Sequence, residues 1–146
     1  MTILNDVEIK LAEQLLIAVK EKEMYITYGD LAKRIGLPGH RRHLGEPLKK
    51  INMVCHELGL PLLSAKVRSE NAKTPGEGFF DLYKSFGIPT NGKTPKELYK
   101  EENLKIHNCK DWYKLEDYIG VHVGLDRPTD AIPIPQQNSI KYFTEG

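Results

Sequence analysis

"MYITYGDLAKRIGLPGHRRHLG", residues 24–45, carries two helix signals in quick succession. Tyr25-Ile26-Thr27 is short and β-prone. Thr27 is an N-cap residue, and Asp30 follows three positions later as the acid of a capping box. Leu31, Ala32 and Ile35 form one apolar side. Gly36 then stops the helix, and Pro38-Gly39 makes a turn. Beyond the turn a third helical region runs from about His40 to Leu58, with Arg41, Arg42 and His43 at its start and Leu48, Ile51, Cys55 and Leu58 on one face. A helix of about two turns, a tight turn and a second helix with cations at its start predict a helix-turn-helix aimed at phosphate. Pro47 interrupts the third region. Either the helix kinks there, or Pro47 lies in the first turn of a separate helix.

On the N-terminal side, Asn5 and Glu8 form a capping-box start. Val7, Leu11, Leu15, Ala18 and Val19 recur at helical spacing, which predicts an amphipathic helix over 6–22. On the C-terminal side, Gly59 and Pro61 end the third helix. Leu62 to Val67 reads as a strand, 69–75 as a polar turn, and Gly78-Phe79-Phe80 as the return strand. Three helices followed by a strand pair predict an α+β fold, a winged helix-turn-helix over residues 1–80. Residues 81–146 form a mostly helical extension with an irregular tail. In it Thr94-Pro95 opens a helix through Ile106, residues 109–118 form another short helix, and Trp112 docks on the core. The prolines of "IPIPQQNSI" rule out a central strand.

The net charge of +1 hides an uneven distribution. Residues 1–32 sum to −3, residues 33–50 to +5, residues 51–75 to +1 and residues 76–146 to −2. A basic segment inside a near-neutral chain points to an anionic partner through that segment. The hydrophobic share of 40% and the charged share of 28% are those of an ordinary globular protein. No run approaches a membrane span and no signal-peptide pattern opens the chain, so the expectation is a cytoplasmic protein without a membrane partner. The two cysteines, Cys55 and Cys109, are not paired as CxxC, which argues against zinc and against a disulfide in a reducing compartment.

The same stretch resembles the helix-turn-helix of alkylguanine-DNA alkyltransferases and alkyltransferase-like proteins. The matching residues are Thr27, Tyr28, Gly29, Leu31, Ala32, Gly36 and Pro38, then Arg42 and Gly45 at the family's offsets. The resemblance spans residues 24–75. It implies that Tyr28 presses on the DNA backbone beside a flipped nucleotide and that Arg42 fills the vacated stack. In such a gap a flat cation can stack between bases. The reactive Pro-Cys-His-Arg of the family is absent. Leu63-Ser64-Ala65-Lys66-Val67 stands in its place, with Ser64 at the cysteine position and no adjacent base to activate it. The chain is therefore similar to the alkyltransferase-like subgroup, which binds without transfer. Cys55 is no substitute, because it lies on the apolar face of its helix and its neighbour His56 points about 100° away.

The expected function is non-catalytic recognition of duplex DNA, with a distorted or modified base as the implied target and no cofactor or metal. The expected contacts are Tyr28, Arg41, Arg42, His43, Lys49, Lys50, Lys66, Arg68 and Lys73. A protein-interaction module, using the acidic C-terminal extension, is the second reading. A small nuclease is the third, resting on the weak acid-lysine echo of Glu70 to Lys73.

Overall fold

The computed structural model describes residues 2–40, 43–68 and 77–127. The first two helices form as their local signals dictate. Helix α1 (Asp6–Lys20) is closed by a complete capping box: Asn5 accepts from the Glu8 N–H, and the Glu8 carboxylate accepts from the Asn5 N–H, each at 2.8 Å. Strand β1 (Ile26–Thr27) leads into α2 (Tyr28–Arg34), where the Thr27 hydroxyl accepts from the Asp30 N–H at 3.1 Å. The box is only half made. The Asp30 carboxylate turns instead to Arg34, which also reaches Glu23 at 2.9 Å and pins the end of α2 to the turn before β1.

Gly36 ends α2 as predicted. It sits at φ +81°, a left-handed geometry that glycine adopts without strain. There the Leu37 N–H reaches the Ala32 carbonyl and the Gly36 N–H that of Lys33, the paired bonds of a Schellman cap. Helix α3 (Gly45–Glu57) begins five residues later than the sequence suggested. Its start resolves the Pro47 question: Pro47 lies in the first turn, where its missing N–H has no intrahelical partner to lose. Arg41 and Arg42 lie outside the described residues, and His43 precedes the helix.

The wing prediction requires correction. Leu63–Lys66 is a 3₁₀ turn, and only Val67–Arg68 is extended, as β2. Strand β2 pairs with β1 in parallel, Ile26 opposite Val67 and Thr27 opposite Arg68. Gly78-Phe79-Phe80, expected as the return strand, belongs to helix α4 (Glu77–Ser85), which runs through the boundary placed at residue 80. A short apolar run with a glycine in front suits a strand or a buried helix equally, and periodicity cannot separate the two.

Helix α5 (Pro95–Asn108) has a full capping box from Thr94 and Glu97, and α6 (Tyr113–Ile119) follows. Helix α3 packs on α1 and on the 3₁₀ turn, α5 packs on α4 and the same turn, and α6 packs on α1. The core joins Leu11, Leu15 and Leu16 of α1 to Ile51 and Val54 of α3, Leu63 of the turn and Leu98 and Ile106 of α5. Trp112 docks as expected, buried, with its indole N–H on the Ile106 carbonyl at 3.1 Å. The described chain is thus mostly helical with one two-stranded parallel sheet, an α+β arrangement. Among the described residues, no helix is long and apolar enough to cross a membrane.

Candidate nucleic-acid interface

The basic segment is less positive at the surface than its residue count suggests. Of its described cations, Arg34 is held by Glu23 and Asp30, and Lys50 lies 3.3 Å from the buried Glu8 carboxylate. Lys50 thereby joins α3 to the first turn of α1. Lys33 and Lys49 are exposed, as are His40 and His43, whose rings stand 5.8 Å apart. Lys49 lies on the outward stripe of α3 with Glu46, Met53 and His56, opposite the buried Leu48, Ile51 and Cys55. In the chain, Lys33 and His40 precede residues 41–42, and His43 and Lys49 follow them.

The β1–β2 pairing brings Arg68 next to the start of α2. Tyr28 opens α2, and Arg68 pairs opposite its capping residue Thr27. The Arg68 guanidinium lies over the Tyr25 ring, 4.0 Å from its centroid, and Tyr25 stacks on Tyr99 of α5 at 5.8 Å and 8°. Each contact of this kind is worth on the order of 1 kcal/mol. Together they hold Arg68 in one place beside α2. Tyr28 is half-buried, and that burial raises its pKa, so its hydroxyl remains a donor at neutral pH. The Tyr25–Tyr99 stack has no signature in the sequence, because no local spacing joins residues so far apart in the chain.

Lys66 is not a surface contact. It is fully buried, with its ammonium donating to the Glu23 carbonyl and lying 2.9 Å from Nε2 of His107. Lys73 lies outside the described residues.

Ser64 is also held inside the fold. Asn52 of α3 clasps it twice: the Asn52 amide donates to the Ser64 hydroxyl at 2.8 Å, and the Ser64 N–H donates to the Asn52 carbonyl oxygen at 3.1 Å. The clasp fixes the 3₁₀ turn against α3 and leaves no base on the hydroxyl from Asn52. Cys55 is fully buried, and burial pushes its thiol up to about 12. Such a thiol has almost no thiolate at neutral pH and does not attack an alkyl group. Cys55→Ala is expected to lower stability by about 1–2 kcal/mol. In the folded parent a thiol reagent should label the half-buried Cys109 first. Rapid labelling of Cys55 before unfolding would contradict its place in the core.

Among the described residues, no three His, Cys, Asp or Glu side chains come together as a metal-holding group. No family model matches the chain, and no curated protein or solved structure matches it.

Proposed function

We propose that the protein binds duplex DNA without covalent chemistry, using α2, the 35–44 connection and α3 as a helix-turn-helix. The observation that carries this reading is the exposure of Lys33, His40, His43 and Lys49, which precede and follow the two arginines at 41–42 in the chain. Arg68, held over Tyr25 and paired opposite Thr27 at the start of α2, is a further contact in this reading. The order helix, strand, helix, helix, strand supports a winged helix as far as its first wing strand, which in this reading is β2. The resemblance to alkyltransferase-like proteins narrows the target to duplexes with a distorted or modified base, with Tyr28 on the backbone and Arg42 in the stack. The buried Cys55 and the clasped Ser64 favour recognition over transfer.

The test is a fluorescence-anisotropy titration of labelled duplex at several salt concentrations. Affinity should fall with salt by about 0.9 log units per log unit for each neutralised phosphate. Because Glu8 engages Lys50, Lys49→Gln alone should flatten the slope by about one unit, and Lys50→Gln by less. Arg42→Ala should weaken binding to a duplex with an extrudable base far more than to an intact one; equal losses on both would reduce Arg42 to a phosphate contact. Affinity that does not change with salt would remove nucleic acid as the main partner.

A further inference from the structure

A second basic feature lies away from the helix-turn-helix stretch. The C-terminal end of α1, the end of α5 and residues 124–127 enclose a cavity of about 650 Å³. That is the volume of a small-molecule site. Lys20, Lys22, Lys110 and His107 line it against a single acid, Asp126, and Trp112 contributes to an apolar side with Val19 and Leu125. Arg127, also at its edge, is engaged by Asp117 at 2.8 Å. Lys20 donates to the Val123 carbonyl at 2.9 Å, which fastens the 121–127 segment over the end of α1 and holds one ammonium at the wall.

The wall behind His107 adds a second, independent feature. Lys66 stands there fully buried, and among the described residues no carboxylate forms an ion pair with it. The nearby Glu23 gives Lys66 its carbonyl, while its carboxylate is taken by Arg34. A buried cation without a bonded counterion is costly, and its field reaches into whatever space adjoins it. Lys66 donates to Nε2 of His107, which puts the proton of the neutral ring on Nδ1. Burial and the Lys66 charge both hold the His107 pKa down. The ring both contacts the Lys66 ammonium and lines the cavity.

We propose that this cavity binds a small phosphorylated organic molecule. The phosphate meets Lys20, Lys22, Lys110 and His107 and supplies the countercharge that Lys66 lacks, while the organic body lies on Val19, Trp112 and Leu125. This site is independent of the DNA-binding reading. Trp112 is the only tryptophan in the chain, so its fluorescence reports directly on occupancy.

The experiment titrates the full chain with inorganic phosphate and, separately, with adenosine 5′-monophosphate, following tryptophan emission. Both should saturate, with the nucleotide binding at least tenfold more tightly because only it fills the apolar side. Lys22→Gln combined with Lys110→Gln, two exposed positions that keep their side-chain length, should weaken nucleotide binding by roughly tenfold or more. Lys49→Gln should leave it unchanged. A linear, non-saturating response, a nucleotide no tighter than phosphate, or unaltered binding in the double variant would each overturn the proposal. Displacement of the nucleotide by duplex DNA at equal phosphate concentration would overturn it too, by making the cavity part of a nucleic-acid surface.

Discussion

The unfolding free energy of the protein, measured against that of Lys66→Met, should gain up to about 3 kcal/mol as the pH rises from 8 to 10.5. Burial is the main cause: it lowers the Lys66 pKa from 10.5 to about 8, and nearby Glu23 opposes the shift only in part. The sign follows from proton counting. Between these two values the unfolded chain keeps its proton on Lys66 while the folded chain has released it. The unfolded state therefore binds more protons, and stability increases with pH across the window. Below pH 8 both states are protonated and the folded state bears the full desolvation cost. Cys55, Tyr28, Tyr83 and Tyr99 act in the opposite direction at alkaline pH, because burial raises each of them. They are common to both proteins and cancel in the difference. Urea denaturation at a series of pH values supplies the measurement. A difference that stays flat from pH 7 to 10.5 would mean that Lys66 carries no desolvation cost.

Glu102→Ala should cost roughly 3 kcal/mol or more, a loss large enough to threaten folding. The Glu102 carboxylate is buried on α5. One oxygen accepts the Leu62 N–H at 2.6 Å, and the other accepts the Tyr83 hydroxyl of α4. A single side chain thus joins three segments at the entrance to the 3₁₀ turn. Removing it strands the Leu62 N–H away from water, and that penalty exceeds the worth of the bond itself. Glu102→Gln retains one acceptor and should lose about half as much. A double-mutant cycle with Tyr83→Phe should show coupling of about 1–2 kcal/mol. If Glu102→Ala and Glu102→Gln both melt like the parent, the carboxylate is not the knot that its bonds imply.

These two residues also mark where the sequence stops being legible. Helix starts at Asn5, Thr27 and Thr94 were readable because a cap is a local event, settled by residues three apart. The ends at Gly36 and Gly59 were readable for the same reason. Lys66 reads as a wing contact from the sequence, and lysine is almost never fully buried. What buries it is α5, some forty residues further on, and no pattern near Lys66 announces that contact. The strand expected from Leu62 to Val67 failed similarly. Its apolar run is genuine, but the Asn52 clasp on Ser64 and the Glu102 bond to Leu62 wind most of it into a turn. Only the last two residues stay extended beside β1. In the candidate site, His43 and Lys49 lie exposed, whereas the pairing of Lys50 with Glu8 depends on α3 lying across α1 and has no local signature.

The 35–44 connection starts at a helix end sealed by its own cap, and α2 is fastened independently through Arg34 and the β1–β2 pair. Doubling the length of a flexible loop costs only about 0.6 kcal/mol in closure entropy. The framework on either side therefore has little stake in how long this connection is, so long as Gly36 keeps the cap and Ile35 and Leu44 keep their places in the core. Selection can rewrite its histidines and arginines, and lengthen or shorten it, while α1, α3 and α5 keep the same packing. The exposed positions of the connection are ones the fold leaves free to evolve.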